Sequence, residues 1–443
     1  MSRKLISQAE LSIIILFLPL YLNAIELTIS QPGLYQLGSS IASNPTGADT
    51  IINIAASNVV LDLGGYIVAQ ANATASVDGI VVNSNLSNIT IQNGTIRNVT
   101  NRGLVVNQSC SAISVNNLYL ENCAIRGISF EGNVAPNQIT DCQINDCRFS
   151  NCSSNASADF LLNLQNCLRI TINNVLIFGT IAAANILYTS LSNCTLCTLN
   201  KVIIQGNSSP TFFGIQDSSG TGNIFNGCVV RVNNASSTNL NGFNITNCLQ
   251  DRFINCQAVG NSSSLASGRG FVITTNQNLL FENCIALANR GTSTIGFLVN
   301  AVNQSTFNDC MGMANTATGT ASGFQLINSS FNTLLRYIGS NQASTGSSGQ
   351  GLVFNTTVSN FCMIKDGLFK SNKGTTAATS LGVSIVTGAN NLFTRCIGCN
   401  NNTGATAAQL SGVPAGSVTS LAAVQSSNIN SATTPWINLS VSA

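Results

Sequence analysis

The feature that most constrains the fold is a set of three residue ladders that recur with one common period. From Phe225 onward a phenylalanine motif, often F-x-x-C, returns at nearly constant intervals. A glycine ladder and an asparagine ladder keep similar spacings. Periods of about 20 to 50 residues are typical of repeat architectures, so we predict a solenoid. The ladder residues are Phe225, Phe253, Phe281, Phe307, Phe331, Phe361 and Phe393; Gly214, Gly242, Gly270, Gly296, Gly323, Gly351 and Gly382; and Asn207, Asn233, Asn261, Asn289, Asn315, Asn341, Asn372 and Asn400.

The repeat is expected to consist of strands. Apolar residues alternate or form short runs, as in Val202-Ile203-Ile204, and turn residues bound each run. One coil cannot bury its own inward face, so the coils must stack and align like residues into columns. The predicted fold is therefore all-β, a right-handed parallel β-helix of about thirteen coils over residues 55–403.

The three ladders predict three kinds of column. Phenylalanine rings should stack in the core. Asparagine side chains should hydrogen-bond along the stack at turns, and the glycines should mark bends or left-handed turn positions.

The start of the repeats resembles a known fold family. The chain reads PGLYQLGSSI from Pro32, IINIAASNVVLDLGGYIV from Ile51 and ITIQNGTIRN from Ile89. These stretches resemble the first coils of right-handed β-helix proteins of the pectin-lyase-like superfamily. The resemblance covers residues from about 31 to 403 and implies the fold. Its members include polysaccharide lyases, polygalacturonase-type hydrolases, phage tailspikes and secreted proteins without known activity, so it implies no single function.

Composition excludes several classes of function. Charged residues make up only 7% of the chain, the net charge is +2 and there is no histidine. A nucleic-acid binder would need a basic face to neutralise phosphates. The lack of histidine removes the commonest general base and every histidine-containing triad.

The N-terminus has the pattern of a signal peptide over residues 1–24. Arg3 and Lys4 precede the apolar run Leu11–Leu22, and Ala24 is the expected cleavage point. The alternative is an uncleaved membrane anchor. We therefore expect an exported protein, whether secreted, periplasmic or at the cell surface. An N-terminal cap is predicted at 25–54, and a low-complexity tail or end cap at 404–443.

All 16 cysteines lie beyond residue 109. Disulfides are one interpretation of cysteines in an exported chain. However, Leu334 and Ile364 stand where other copies of the phenylalanine motif carry cysteine. That exchange favours a column of reduced, buried cysteines over bridges or a metal site. No metal or other cofactor is predicted, and nothing in the sequence indicates calcium.

The densest charge lies in the N-terminal half. Arg97, Glu121 and Asp146 follow one another at about one coil each, and are expected to stack on one face of adjacent coils. One interpretation is a small site for a sugar or calcium. The favoured one is a surface ladder in which opposite charges neutralise their neighbours. No catalytic residue is predicted. The candidate surface residues are Arg97, Arg102, Glu121, Arg126, Glu131, Asp141 and Asp146.

These observations predict an exported, non-catalytic β-helix whose Asn, Ser and Thr-rich face binds glycans or surface proteins. The alternative is a polysaccharide lyase or glycoside hydrolase acting on an acidic polysaccharide. A third hypothesis is an oligomeric structural spike. No nucleic-acid partner is expected, and no integral membrane part after removal of the signal.

Overall fold

The computed structural model has an all-β, parallel solenoid fold of about 12 turns, which confirms the predicted parallel β-helix. None of the described residues forms a helix long and apolar enough to cross a membrane. The chain divides into two compact units. The first unit comprises Met1–Ser154 and Leu161–Leu176, and the second comprises Asn155–Phe160 and Ile177–Ala443. The structure describes residues 13–16, 21–23, 27–44, 50–71, 76–152, 159–180, 186–236, 240–265, 267–354, 359–375, 382–385, 391–394, 396–399, 410–411 and 419–420.

In the first unit the strands pair in parallel with strands one coil away. One sheet contains Leu27–Ile29, Thr50–Ile54, Asp78–Val82, Arg102–Asn107, Arg126–Glu131 and Asp159–Gln165. The other strands are Ile13–Leu16, Tyr21–Asn23, Gly33–Leu37, Ile41–Asn44, Val59–Asp62, Ile67–Gln70, Ser87–Arg97, Ser111–Glu121, Ile139–Thr140, Gln143–Asn145, Arg148–Ser150, Cys167–Leu168, Thr171–Asn173 and Leu176–Phe178.

In the second unit each full coil has a long strand followed by short strands. The long strands are Ile186–Ser192, Phe212–Ser218, Leu240–Thr246, Gly268–Thr274, Thr294–Asn300, Ala321–Ile327 and Gly349–Phe354, and the shorter strands Val383–Ile385 and Leu410–Ser411 continue the same sheet. The next set is Thr198–Asn200, Ile224–Asn226, Arg252–Ile254, Leu280–Glu282, Thr306–Asn308, Thr333–Leu335, Met363–Lys365, Leu392–Thr394 and Thr419–Ser420. A third set is Ile203–Gln205, Val229–Arg231, Gln257–Val259, Ile285–Leu287, Met311–Met313, Ile338–Ser340, Leu368–Lys370 and Ile397–Cys399. Two-residue strands complete the coils at Ser208–Ser209, Asn234–Ala235, Ser262–Ser263, Arg290–Gly291, Thr316–Ala317 and Ala343–Ser344.

The predicted phenylalanine column exists over four coils. The rings of Phe225, Phe253, Phe281 and Phe307 are fully buried, and successive ring centroids lie 4.5, 4.7 and 4.8 Å apart. Such ring pairs contribute about 0.5–1.5 kcal/mol beyond the burial of their area. A second stack, on the long strands, contains Phe243, Phe271, Phe297 and Phe324.

The prediction is wrong for Phe331 and Phe361. In the strand register Leu334 follows Phe307 and Ile364 follows Leu334, and Phe393 then resumes the column. Phe331 and Phe361 lie three residues earlier, in turns, and are 57% and 51% exposed. The core position is set by spacing from the neighbouring coils, because a strand that slipped by three residues would turn its apolar face outward.

The glycine ladder has a different role from the predicted one. Gly214 and Gly242 lie within the strands Phe212–Ser218 and Leu240–Thr246, without a left-handed backbone. A Cβ added to Gly214 would lie 2.4 Å from the carbonyl oxygen of Gly242. Glycine is therefore required because backbones of adjacent coils approach closely.

The asparagine ladder is confirmed as a buried chain of hydrogen bonds. The Nδ2 of Asn233 donates to the Oδ1 of Asn261 at 3.0 Å, and the Nδ2 of Asn261 donates to the Oδ1 of Asn289 at 3.2 Å. Asn207, Asn233, Asn261, Asn289 and Asn315 form this ladder, and all are fully buried. Gln342, rather than the predicted Asn341, accepts the next hydrogen bond, from Asn315. The proposed ladder position Asn400 lies outside the described residues.

The structure describes fifteen of the cysteines in full, and all fifteen are buried and unbridged, as predicted. The reason given for that prediction is wrong at two positions. Leu334 and Ile364 take the place of phenylalanine, as the strand register shows, so they are no substitutes for cysteine. Burial raises the pKa of Cys228 and Cys256 well above the ordinary value, which keeps both as inert thiols.

The two ends of the chain are described only in part. Ile13–Leu16, within the predicted signal peptide, pairs in parallel with Leu34–Leu37. Leu27–Ile29, in the predicted cap, pairs with Ile52–Ile54 and so continues a sheet. Ala24 and nearly all of the predicted tail at 404–443 lie outside the described residues.

Replacing a ladder asparagine should make the folded protein less stable. Asn261→Ala removes hydrogen bonds to Asn233, Asn289 and the carbonyl of Val230, and leaves buried polar groups unpaired. Each unpaired buried group costs about 1–3 kcal/mol, so we expect the free energy of unfolding, measured with urea, to fall by roughly 2–5 kcal/mol. The matched control is Asn226→Ala, which removes an exposed asparagine bonded to Asn200 and should cost less than about 0.5 kcal/mol. Equal losses in the two variants would contradict the ladder's role.

The corrected register makes a second prediction. Phe253→Ala opens a cavity in the stacked column and should cost about 3–5 kcal/mol. Phe331→Ala truncates an exposed ring and should change the free energy of unfolding by less than about 1 kcal/mol. Thermal and urea unfolding of the two variants would measure this contrast, and a Phe331→Ala loss as large as that of Phe253→Ala would place Phe331 in the core.

Candidate functional site

A charged cluster joins three of the predicted surface residues in the first unit. Arg102 binds Asp78 through Nε at 3.0 Å and Nη2 at 2.7 Å. Its Nη1 binds both carboxylate oxygens of Glu131, at 2.8 and 2.9 Å. Arg126 Nη1 donates to Glu131 Oε1 at 2.7 Å, and Ser129 Oγ donates to the same oxygen at 2.9 Å. The strands Asp78–Val82, Arg102–Asn107 and Arg126–Glu131 supply these residues from successive coils.

The electrostatics of this cluster are balanced. Two arginines face two carboxylates, all of them partly buried. Burial alone would disfavour the ionised form of Glu131, but Arg102, Ser129 and Arg126 together hold its pKa below the ordinary value. Burial likewise opposes the charge of Arg102, and Asp78 and Glu131 outweigh it and raise its pKa. A carboxyl that acts as a general acid needs a raised pKa, so this geometry favours an ion-pair network over an acid catalyst.

The other predicted surface residues do not join the cluster. Arg97 and Glu121 are direct partners in neighbouring strands, as expected. The predicted stack of Asp146 on Glu121 is wrong, because Ser150 is the partner of Glu121 and Asp146 lies in the preceding turn.

Asp141 and Asp146 make separate surface contacts. Asp146 Oδ1 accepts a hydrogen bond from Asn174 at 2.7 Å. Asp141 pairs with Arg169 on the surface at 2.6 and 2.8 Å, and this arginine lowers the pKa of the Asp141 carboxyl. Exposed pairs of this kind contribute little to stability.

An exposed row of turn residues follows the second unit from coil to coil. In all but the last position the backbone N–H donates to the coil that follows, for example from Gln304 to Ser330 and from Phe331 to Asn360. The row ends in two phenylalanines whose ring centroids are 5.1 Å apart and whose planes are inclined by 5°. We call this set the turn row: Gln250, Asn278, Gln304, Phe331 and Phe361.

The two phenylalanines of the turn row are exposed at a conformational cost. Phe331 and Phe361 have φ values of 57° and 55°. The left-handed region is unfavourable for bulky side chains, by roughly 1–2 kcal/mol per residue. Neither ring offsets this cost by entering the core. The same left-handed turn recurs at Gln250, Asn278 and Gln304, so this backbone belongs to the repeat. The exposed, stacked aromatic rings are what distinguish this end of the row, and exposed apolar groups of this kind are consistent with a surface that binds a ligand.

The long strands of the second unit also carry an uncharged polar hollow. Its volume is about 320 Å³. Hydroxyl and amide side chains dominate its wall, and none of the residues that line it is charged. The lining residues are Ser293, Ile295, Thr320, Ser322, Gln325, Ser348, Gln350, Val353 and Ser384.

A buried acidic group lies inside the second unit. Asp217 ends the inward face of Phe212–Ser218, where the register places it between Leu191 and Ile245. Asp217 and Asp251 are both fully buried, and Cys248 lies beside them. Asn223 fixes one oxygen of each carboxyl, donating Nδ2 to Asp217 at 3.1 Å and its backbone N–H to Asp251 at 2.7 Å.

Burial dominates the protonation of this group. It raises the pKa of Asp217 well above the ordinary value, and the neighbouring Asp251 raises it further. Burial also raises the pKa of Asp251 to about 6. The pKa of the Cys248 thiol is raised by burial and by the two carboxyls. The carboxyls of this group therefore keep protons at a pH where free carboxyls have already released them.

Sequence reasoning missed two features of these sites. Asp78 precedes Arg102 by the same interval that separates Arg102 from Arg126, so the period alone could have added it to the cluster. Asp217 occupies the third position after a ladder glycine, where the later coils carry Ile245 and Ile273. An aspartate in an aliphatic column was the available signal.

Comparisons with known proteins identify no family. No family model and no curated protein matches the sequence. The A-module of the mannuronan C-5 epimerase AlgE6 of Azotobacter vinelandii is a similar solved structure, with 12% identity, a TM-score of 0.35 and coverage of 89% of this chain and 92% of that one. A double mutant of the tailspike protein of E. coli bacteriophage HK620, in complex with a pentasaccharide, is another, with 12% identity, a TM-score of 0.38 and coverage of 84% of this chain and 69% of that one. Similarity at this level concerns the fold alone.

The buried carboxyls predict a pH dependence of stability. Because their pKa values are raised in the folded state, the folded protein holds protons that the unfolded chain releases above about pH 4. The free energy of unfolding should therefore fall as the pH rises from about 4 through about 6. Urea unfolding in metal-free buffer at several pH values would test this.

The matched variant is Asp217→Leu, which restores the residue type of Leu191. Carboxyls with lowered pKa, such as Glu131, shift stability in the opposite direction and are common to both proteins. The difference between wild type and variant isolates the contribution of Asp217 and of its interaction with Asp251, and a difference that does not change between pH 4 and 7 would contradict the prediction.

Proposed function

We propose that this protein is an exported, non-catalytic β-helix that binds glycans at the turn row of its second unit. The observation that carries the proposal is the exposed, stacked pair Phe331 and Phe361. Parallel rings 5.1 Å apart form a flat apolar surface. The apolar C–H face of a pyranose ring can lie on such a surface, as apolar groups do on aromatic side chains.

The neighbouring positions of the turn row supply hydrogen-bonding groups. Gln250, Asn278 and Gln304 are exposed, and each carries an amide that can both donate and accept. Sugar hydroxyls have the same double capacity. A row of amides that continues into two aromatic rings therefore matches an extended chain of uncharged sugars. Successive coils repeat these groups at the spacing of parallel strands, about 4.8 Å.

The charge distribution favours binding over turnover. Glu131 and Asp78, the partly buried carboxylates of the charged cluster, are each bound to arginine. Asp217 and Asp251 are enclosed in the core and cannot reach a polymer on the surface. Export is proposed from Arg3, Lys4 and the apolar run Leu11–Leu22.

The proposal predicts retention on a polysaccharide that depends on the aromatic pair. The purified protein would be tested against a panel of neutral and acidic polysaccharides, with and without calcium, for retention and for new reducing or unsaturated ends. We expect retention without products. The double variant Phe331→Ala with Phe361→Ala should weaken retention at least about tenfold, since loss of about 1.4 kcal/mol suffices for that factor.

The matched control is Tyr66→Ala, which removes an exposed aromatic ring of the first unit. It should leave retention unchanged, and the melting temperature of each variant would show that it is folded. Retention that survives loss of both phenylalanines would contradict the proposed surface. Formation of products would contradict the non-catalytic assignment and favour a lyase or hydrolase.

A further inference from the structure

The buried acidic group combines three potential ligands from adjacent coils. Asp217 comes from the end of a long strand, and Cys248 and Asp251 come from the turn one coil later. Their ligand atoms, one oxygen from each carboxyl and the sulfur, all lie within 4.8 Å of one another. All three residues are at most 2% exposed.

In each carboxyl one oxygen accepts a hydrogen bond and the other has no hydrogen-bond partner. Asn223 bonds Oδ2 of Asp217 and Oδ1 of Asp251. Asp217 Oδ1 and Asp251 Oδ2 are buried and have no hydrogen-bond partner. A buried acceptor that lacks a partner destabilises the folded state, and more so when it is charged. A proton shared between the two carboxyls, or a bound cation, would give both atoms a partner.

The surrounding coils show that the carboxyl of Asp217 is no requirement of the fold. Its column neighbours Leu191 and Ile245 are aliphatic. A Cβ at Gly220 would lie only 2.4 Å from Asp217 Oδ1 and 2.7 Å from Oδ2. The adjacent turn position is thus kept free of any side chain, and the aspartate occupies that space.

We propose that Asp217, Cys248 and Asp251 bind one divalent transition-metal ion of the zinc class. Carboxylate oxygen and thiolate sulfur are both ligands of Zn²⁺, and three protein ligands leave one position of a tetrahedron for a further donor. Ca²⁺ is a poor match, because it takes six to eight oxygen ligands. The ion offsets two of the three negative charges that the carboxylates and the thiolate bring, so the bound site carries one net negative charge and the two carboxylates no longer repel each other as a bare dianion.

The burial of the site determines how the ion enters. All three ligand residues are enclosed in the folded chain, so binding accompanies folding. Binding displaces the thiol proton of Cys248 and any proton that the two carboxyls share. The ion therefore stabilises the coils around Asp217 and Asp251. This role is independent of glycan binding at the turn row.

The test uses the full chain, unfolded in denaturant with a chelator and refolded with Zn²⁺, with Co²⁺ or without metal. We expect about one ion per chain after removal of excess metal, and a higher melting temperature than in the metal-free protein. The Co²⁺ form should show a thiolate-to-cobalt charge-transfer band. Metal content of protein purified directly from zinc-supplemented cells gives the same information without refolding.

Three variants make the test specific. Asp217→Leu should fold without metal, bind no zinc and lose the metal-dependent rise in melting temperature. Cys248→Ala should abolish the charge-transfer band, whereas Cys284→Ala, a matched buried cysteine outside the cluster, should keep it. Wild-type protein that retains no ion by either route would overturn the proposal, leaving the pair to hold only a proton. A band that survives in Cys248→Ala, or zinc retained by Asp217→Leu, would overturn it as well.

Discussion

Within each unit, the parallel register ties every residue to the one a coil away, and this register determines the environment of each side chain. Phe253 is buried because Phe225 and Phe281 lie on either side of it. The same rule places Asp217 in a column whose other members are aliphatic. In a solenoid of this kind the core forms only between stacked coils, because a single coil cannot enclose one. A residue that differs from the rest of its column is therefore easy to recognise.

The interior treats two kinds of polar residue differently. The ladder asparagines bond to one another and to backbone carbonyls, as Asn261 does with Asn289 and Val230. Because the polar groups of these asparagines are paired within the ladder and with the backbone, their side chains can be buried without losing hydrogen bonds. Asp217 and Asp251 leave an oxygen each without a partner. This contrast separates a polar group whose hydrogen bonds are completed within the fold from one that keeps an acceptor open.

The repeat period was enough to predict the class of fold, the phenylalanine stack from Phe225 to Phe307 and the asparagine ladder. It failed where residue type and spacing disagreed. The step from Phe307 to Phe331 is the shortest in the phenylalanine ladder, whereas the step from Phe307 to Leu334 is close to the common period. The core follows the more even spacing, because the strands must stay in register.

The candidate sites were less predictable than the fold. The pairing of Arg97 with Glu121 followed from the period. The approach of Cys248 and Asp251 to Asp217 depends on how a turn folds back, and no periodicity contains that information.

The asparagine ladder also has a direction. Each Nδ2 donates toward the following coil, and each Oδ1 accepts from the preceding one, from Asn207 to Gln342. The side-chain dipoles therefore point the same way. Both ends of the ladder are closed inside the protein: the backbone N–H of Thr180 donates to Asn207 Oδ1, and Gln342 Nε2 donates to the carbonyl oxygens of Gly312 and Ser340. Any coil inserted between these positions would have to present an amide in the same orientation, or the chain of hydrogen bonds would be broken.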